Sequence, residues 1–394
     1  MKNTGVIARG IVTPIFRQGD NLISMICDSL LQAAESGGFK LGDQDIVGVT
    51  EAVVGRAQAN YANLEQISKD IRTKFGGGSL GAVFPILSRN RFSNILMGIT
   101  GGCDKLYIQL SYPSDEVGNK LIDISKCDEN GVNPYTDSFS EEQFRAIFGN
   151  DTVHRFTGVD YIEYYKELGG SDCEIVFSND PGYILNYTEK VLCCDIHSRK
   201  RTQSIISKNG AKRCLCLDDI LRESVDGSGY SEYGLLGSNK ATGDTVKLFP
   251  RDTSVFVLEL QAELKKRTGA RLEVMVYGDG CFKDPTGGIW ELADPVVSPA
   301  FTPGLAGTPN ELKIKYIADN DYADLSGDEL TNSIRERIRS KQSNLVGKIV
   351  SEGTTPRKIH DLVGSLCDLV SGSGDRGTPV VLVQNYFKNY ASEE

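Results

Sequence analysis

One run of residues has the types and spacing that metal-assisted chemistry needs: Val274-Met-Val-Tyr-Gly-Asp279-Gly-Cys-Phe-Lys-Asp284-Pro. The apolar stretch before Asp279 predicts a buried strand, and α/β sheets place ligands just outside the carboxyl ends of such strands. Glycines on both sides of Asp279 let a phosphate or a metal approach the backbone closely. Carboxylate oxygens are the ligands that hard divalent cations prefer. We therefore predict that Asp279 binds Mg²⁺ or Mn²⁺ and that Asp279 and Asp284 are catalytic; an ordinary Asp-Gly turn is the alternative.

A second acidic group follows another strand-like run, 105–110, and consists of Asp115 and Glu116 in the segment Tyr112-Pro-Ser-Asp-Glu-Val-Gly-Asn119. Two carboxylates with a nearby amide could hold a metal ion or a nucleotide hydroxyl. A helix that begins with a serine cap and an acidic first turn has the same pattern. Both interpretations stay open at this point.

A glycine-rich loop, Ser371-Gly-Ser-Gly-Asp-Arg-Gly377, lies between a predicted helix and the final predicted strand. Successive backbone N–H groups of such a loop can cradle a phosphate. The loop is not a Walker A motif, because a lysine followed by serine or threonine is missing. Arg56, Arg89 and Arg91 could neutralise phosphate charge, although a solvated basic turn is an equally good interpretation of Arg89 and Arg91.

Composition excludes several classes of function. A chain of 394 residues predicts two or three domains. The net charge of −10 and a pI near 5.1 argue against nucleic acid or an anionic membrane as the main partner. With only three histidines, none beside a serine or cysteine nucleophile motif, a Ser-His or Cys-His hydrolase is disfavoured. We see no signal peptide and no membrane span, so we expect a cytoplasmic protein with reduced cysteines.

Hydrophobic periodicity predicts the elements that position these residues. The strands that matter here are Asp45 to Thr50, Leu272 to Tyr277 and Pro379 to Gln384, and the helices include 21–36, 83–97 and 253–268. Short β-prone runs alternate with a helical stretch between 120 and 232, which predicts βαβ units. The cysteines at 193, 194, 214 and 216 have no standard zinc spacing and alternate with apolar residues as buried strand positions do.

Several blocks occur in the order that is typical of the coenzyme F-420-0:L-glutamate ligase (gamma-glutamyl ligase) family, and the chain resembles that family over roughly residues 1–100 and 233–394. The blocks are Gly10-Ile-Val-Thr-Pro14, Asp45-Ile-Val-Gly-Val-Thr50-Glu-Ala-Val-Val-Gly-Arg56, Gly237-Ser-Asn239, Leu248-Phe-Pro-Arg-Asp252 and Thr268-Gly-Ala-Arg-Leu-Glu-Val-Met-Val-Tyr-Gly-Asp279. Lys358 to Leu369, the glycine loop and the final strand resemble the end of that family.

The resemblance implies a mixed α+β and α/β fold, with a ligase-like core that binds nucleotide and metal. We expect this core at 1–119 and 233–330, an inserted α/β subdomain at 120–232, and closing helices, loop and strand of the core at 331–394. It also implies a homodimer and a GTP- and metal-dependent amide ligase. Such an enzyme activates a carboxylate of a small-molecule acceptor as an acyl phosphate, which the amino group of L-glutamate, or of a similar amino acid, then attacks.

Position by position, the resemblance implies a nucleotide site and a metal site. The nucleotide-binding residues are Gly10, Ile11, Val12, Thr13, Thr50, Glu51, Arg56 and Asn239, with Gly372, Ser373, Gly374, Asp375 and Gly377 closing over the nucleotide; the metal residue is Asp279.

This sequence also departs from the family pattern. Leu236 stands where the family has a metal aspartate, and Gly280 where it has a hydroxyl. We therefore hypothesise that Asp115 or Glu116 replaces the missing metal ligand. Another metal-dependent phosphoryl-transfer enzyme and a non-catalytic nucleotide-binding protein remain the alternatives.

Overall fold

The protein's structure, a computed structural model, describes residues 4–150, 152–154, 157–279, 294–352, 357–371 and 374–392. The strands in these ranges are β1 (Ile7–Ile11), β2 (Ile46–Thr50), β3 (Tyr61–Asn63), β4 (Ser79–Val83), β5 (Lys105–Leu110), β6 (Phe139–Ser140), β7 (Cys173–Phe177), β8 (Lys190–Cys193), β9 (Arg213–Cys216), β10 (Asn239–Thr242), β11 (Thr245–Lys247), β12 (Glu273–Tyr277), β13 (Ala300–Phe301) and β14 (Val380–Gln384). The α-helices are α1 (Leu22–Gly37), α2 (Glu51–Ala57), α3 (Leu64–Phe75), α4 (Ser93–Gly101), α5 (Ile124–Glu129), α6 (Glu141–Phe148), α7 (Tyr161–Gly169), α8 (Arg199–Lys208), α9 (Thr253–Thr268), α10 (Ile314–Asn320), α11 (Gly327–Arg339) and α12 (Ile359–Ser371).

A five-stranded sheet with the order β1-β14-β2-β12-β13 forms the first core. Its central strands β2, β12 and β14 are continuous apolar runs, because both faces of the sheet are covered. Helices α1 and α9 pack on one face and α12 packs on the other. Gly48 of β2 lets α12 approach closely, since a Cβ there would lie 2.6 Å from Cys367 Sγ.

A six-stranded sheet with the order β6-β7-β5-β4-β8-β9 forms the second core. All of its pairings are parallel except that of the short β6. Helices α4 and α7 cover one face, while α8 packs against β8 and β9 on the other. From β4 the chain adds β5 and β7 on one side of the sheet and then β8 and β9 on the other side. The strand order thus reverses between β4 and β8, and open parallel sheets commonly hold ligands at such a position.

The six-stranded sheet extends across the position where we expect a domain boundary, between residues 119 and 120. Strands β4 and β5 lie before this position and pair with β8 and β7 after it. The helix expected at 83–97 is observed only in part: Val83 ends β4, and α4 begins only at Ser93. Pro85 has no backbone N–H to donate to a helix. The buried residues before it instead form β4, which pairs with β5 on one side and β8 on the other.

A small sheet, β10-β11-β3, joins the two cores. The side chain of Asn60 fixes this junction: its Nδ2 donates to the Phe249 carbonyl at 2.8 Å, and its Oδ1 accepts from Arg251 Nη1 at 2.6 Å. The segment that follows β11 is thereby held against the connection between α2 and β3. None of the helices in the described parts of the chain has the length and apolar character that crossing a membrane requires.

Candidate active site

Two predicted site segments follow the carboxyl ends of adjacent parallel strands. In the register of β2 and β12, Thr50 lies opposite Tyr277. Glu51, the first residue of α2, and Asp279, two residues past β12, therefore leave the same edge of the five-stranded sheet. This is the edge where parallel strands of α/β sheets commonly present ligands.

Two further segments reach this edge because β14 runs antiparallel to β2 and β1. The Thr50 N–H donates to the Pro379 carbonyl at 3.0 Å, and the Thr13 N–H donates to the Gly377 carbonyl at 3.1 Å. The end of β1 with residues 12–13 and the described part of the glycine loop, 374–377, consequently lie beside Thr50. Four segments that are far apart in the sequence thus meet at one sheet edge.

A guanidinium group lies between two carboxylates at this edge. Arg91 Nη2 donates to both carboxylate oxygens of Asp279 at 3.1 and 2.9 Å, and Nη1 donates to Asp294 Oδ1 at 3.0 Å. The Asp279 N–H donates to the other oxygen of Asp294 at 2.8 Å. Gly278 makes this arrangement possible, since a Cβ there would lie 2.3 Å from Asp294 Oδ2.

A second, buried ion pair lies beside the first. Lys247 Nζ donates to Glu51 Oε2 at 2.8 Å, with 8% of the lysine side chain and 6% of the glutamate side chain exposed. Asn239 is the β-sheet partner of Lys247, and the carbonyl of Gly237, two residues earlier, accepts from Arg91 Nη1 at 3.2 Å. The predicted nucleotide residue Asn239 is therefore brought to the same region as Glu51 and Asp279.

Burial and neighbouring carboxylates raise the pKa values of the carboxyl groups at this edge. Burial, Asp294 and Glu51 raise the pKa of Asp279 to about 8, although the Arg91 guanidinium opposes the shift. Burial also raises the pKa of Glu51, against the effect of Lys247. Three carboxylates face two cationic side chains in this cluster, so an additional cation would find oxygen ligands there.

The remaining predicted nucleotide-binding residues differ in how much of each is exposed to solvent. Gly10 is a glycine because a Cβ would lie 2.9 Å from the Cβ of Thr378, and Ile11 is buried in the core. Val12 is 70% exposed at the sheet edge. Arg56 is exposed on the last turn of α2, roughly 7 Å along the helix axis from Glu51. Gly374, Asp375 and Gly377 are exposed, whereas Asp284, Gly372 and Ser373 lie outside the described residues.

Asp115 and Glu116 have partners in the six-stranded unit instead. Asp115 accepts from the N–H groups of Leu87 and Asn119, both at 2.8 Å, and from the Asn119 side chain at 2.9 Å. Glu116 accepts from the N–H groups of residues 196–198 just before α8. The charged groups that most affect the pKa of Asp279 are Asp294, Arg91, Glu51 and Asp368. Because Asp115 and Glu116 have these partners, we leave both out of the metal site proposed below, and their role as replacement ligands stays a prediction.

The predicted site residues did not include Lys247 and Asp294 of the cluster, or Asp368 beside it. Lys247 gave a signal, because it is a lysine inside the apolar strand run Val246-Lys-Leu-Phe249. Such a lysine has to find a buried partner. Asp368, on the last turns of α12, contributes to the raised pKa of Asp279, and its place one turn before the glycine loop is the only signal in the sequence.

Comparison with known proteins identifies the family but not an individual relative. No curated protein matches the chain. The sequence model described as F420-0:Gamma-glutamyl ligase matches residues 10–385, which includes all four segments at the sheet edge and the α/β unit between them. The family consists of ligases that form amide bonds. The match spans nearly the whole chain, and this chain therefore belongs to the F420-0:gamma-glutamyl ligase family.

Proposed function

We propose that this protein uses a nucleoside triphosphate and a divalent metal to join L-glutamate, or a similar amino acid, to a carboxylate of a small molecule. The observation that carries the proposal is the convergence of Asp279, Asp294 and Glu51 with the glycine loop at one sheet edge. A carboxylate group and a phosphate-cradling loop are the two parts that phosphoryl transfer requires. GTP is the nucleotide that the family resemblance favours.

The residues at this edge fit a hard divalent cation. Asp279 and Asp294 already share one cationic group, the Arg91 guanidinium, so their oxygens point toward a common position. Glu51 is a further carboxylate of the cluster, and we assign it a supporting role beside Lys247. A bound Mg²⁺ or Mn²⁺ would neutralise phosphate charge during transfer.

The proposed reaction has two balanced steps. A carboxylate oxygen of the acceptor attacks the terminal phosphorus of the triphosphate, and the nucleoside diphosphate leaves. The amino nitrogen of glutamate then attacks the acyl carbon, loses a proton, and inorganic phosphate leaves. We assign Thr13, Thr50 and Asn239 to the nucleotide and the backbone of 374–377 to its phosphates.

The test is an assay of phosphate release with GTP or ATP, Mn²⁺ and a panel of carboxylate-bearing acceptors, with and without L-glutamate. We expect release that requires an acceptor and metal and that yields a glutamyl amide detectable by mass spectrometry. The Asp195→Asn variant, changed in the six-stranded unit, is the matched control and should behave like the parent protein. Nucleotide hydrolysis that is indifferent to every amino acid and acceptor would instead favour a different phosphoryl-transfer enzyme.

One observation favours the second candidate, a nucleotide-binding protein without catalysis. Leu236, at the position where the family pattern has an aspartate, is 1% exposed and packs in the apolar core. Thermal stabilisation by GTP and Mn²⁺, with no diphosphate formed over hours at high protein concentration, would support this function over the ligase.

A further inference from the structure

Arg91 is the one residue through which the α/β unit makes a described ion pair with Asp279 and Asp294. Its guanidinium binds Asp279 through one nitrogen and Asp294 and the Gly237 carbonyl through the other. Only 16% of the Arg91 side chain and 1% of the Asp294 side chain are exposed. The contact is therefore an enclosed clamp rather than a surface ion pair, and it differs from the solvated basic turn that the sequence allowed.

The loop that carries Arg91 is fixed by the six-stranded unit. Between β4 and α4, the Leu87 N–H donates to Asp115 Oδ2 at 2.8 Å, and the Ser88 N–H donates to Tyr165 Oη at 3.1 Å. The Arg91 N–H then donates to Ser88 Oγ at 3.1 Å. These bonds set the backbone of Arg91 but leave its long side chain free to adopt other rotamers.

Arg91 and a divalent metal would compete for the same carboxylate oxygens. A metal held by Asp279 and Asp294 next to an unmoved guanidinium would place like charges in a poorly hydrated space, which is strongly unfavourable. The guanidinium has to leave the carboxylates before the metal binds them. The displaced group then needs an anionic partner, and the phosphates of a nucleoside triphosphate are suited to a guanidinium.

We propose that Arg91 is a placeholder cation: it holds Asp279 and Asp294 together in the metal-free protein and moves to the triphosphate when metal and nucleotide bind. This inference rests on the proposed function, because it takes these carboxylates as metal ligands. When metal binds alone, it displaces the Arg91 guanidinium and no anionic partner replaces the carboxylates. When metal and nucleotide bind together, the triphosphate becomes the new partner of the guanidinium. Metal and nucleotide therefore strengthen each other's binding, by the same factor in both directions.

The experiment measures Mn²⁺ binding to the full chain from the electron paramagnetic resonance signal of free Mn²⁺, with and without a non-hydrolysable GTP analogue. Arg91→Met keeps the aliphatic stem and removes the charge. We expect this variant to bind Mn²⁺ alone about ten-fold more tightly than the parent protein, and the analogue to improve Mn²⁺ binding about ten-fold in the parent but under about three-fold in the variant. Arg213→Met, exposed at the start of β9 in the same six-stranded unit, is the matched control and should behave like the parent.

The outcomes separate this inference from the proposed function. If the parent binds Mn²⁺ with the analogue but Arg91→Met binds Mn²⁺ alone no more tightly than the parent, the placeholder role is overturned and the metal site stands. If neither protein binds Mn²⁺ in either condition, the proposed function fails as well. If Arg91→Met does not fold, the test uses Arg91→Lys. One ammonium cannot hold both carboxylates as the two guanidinium nitrogens do, so we expect this variant to bind Mn²⁺ alone more tightly than the parent. Unchanged Mn²⁺ affinity in Arg91→Lys would also overturn the inference.

Discussion

The two sheets of this protein hold acidic side chains at their carboxyl edges by different means. At the edge of the five-stranded sheet, Asp279 and Asp294 share the Arg91 guanidinium, and Glu51 pairs with Lys247. At the edge of the six-stranded sheet, the carboxylates of Asp115, Glu116 and Asp195 accept from backbone N–H groups, an amide and a hydroxyl.

The difference separates carboxylates that can change partner from those that cannot. A backbone N–H is part of the chain, so a carboxylate that it holds stays where the fold puts it. A guanidinium on a long side chain can turn away and release its carboxylate to another cation. The first edge is therefore suited to binding and chemistry, and the second to stabilising loops.

We expect the largest effect on enzymatic activity from a substitution at the edge of the five-stranded sheet. Asp279→Asn removes a carboxylate charge from the proposed metal site but keeps the volume and a hydrogen-bond acceptor for Arg91. We expect metal-dependent glutamyl transfer to fall by about 1,000-fold, because the charge that positions the metal is lost. Initial rates with GTP and Mn²⁺ measure this, and circular dichroism checks the fold. A rate within ten-fold of the parent protein would remove Asp279 from the site.

The buried ion pair between Lys247 and Glu51 should contribute more to the free energy of unfolding than an exposed ion pair does. Lys247→Met leaves Glu51 buried without its partner, so we expect the free energy of unfolding to fall by about 3 kcal/mol or more. The control is Lys266→Met, whose lysine is 78% exposed in its ion pair with Glu263 and should change stability by less than about 1 kcal/mol. Urea unfolding of both variants gives the comparison; equal small losses would show that Glu51 is well solvated.

Local pattern was sufficient for most of the elements and for the order of the site segments. The helix predicted at 253–268 is observed at Thr253–Thr268, and the strands before Glu51 and Asp279 end where their apolar runs end. Caps explain the precision of other boundaries: Asn21 accepts from the Ser24 N–H, and Gly38 ends α1 with a positive φ.

Features that depend on distant pairing were not visible in the sequence. The strand β4 was not predicted, and its last residue, Val83, was assigned to a helix, because the strands that pair with β4, β5 and β8, lie farther along the chain. Arg91 and Asp279 are separated by 188 positions, so no local pattern relates them. For the acidic pair at 115 and 116, the sequence shows the carboxylates but not the backbone N–H groups from which they accept hydrogen bonds.

The pH dependence of stability tests the charge state at the six-stranded edge. Burial raises the pKa of Asp195 to about 7, and its carboxylate accepts from Thr202 Oγ1 at 2.7 Å. The folded protein thus retains a proton that the unfolded chain loses near pH 4, and the stability that this proton provides is lost as pH rises from about 4 to about 7. Asp195→Asn removes this dependence.

We therefore expect the stability of the parent protein, relative to Asp195→Asn, to fall by about 2 kcal/mol between pH 5 and pH 8. Urea unfolding at both pH values measures the difference between the two proteins, in which the contributions of other titrating groups largely cancel. Parallel pH profiles would mean that Asp195 is ionised at both pH values in the folded protein.

We expect the smallest effect on stability from a substitution of Glu116. This substitution tests the difference between the two sheet edges directly, because the sequence made Glu116 a candidate metal ligand. Its carboxylate accepts from the N–H groups of His197 and Ser198, at 3.2 and 3.1 Å, where α8 begins. Glu116→Gln keeps an acceptor but removes the charge that favours a helix amino terminus, so we expect a loss of about 1 kcal/mol in stability. Mn²⁺ binding and glutamyl transfer should stay at the parent level, since Glu116 is not part of the proposed metal site. A loss of Mn²⁺ affinity in a folded Glu116→Gln protein would instead return Glu116 to the metal site and make the two edges one functional unit.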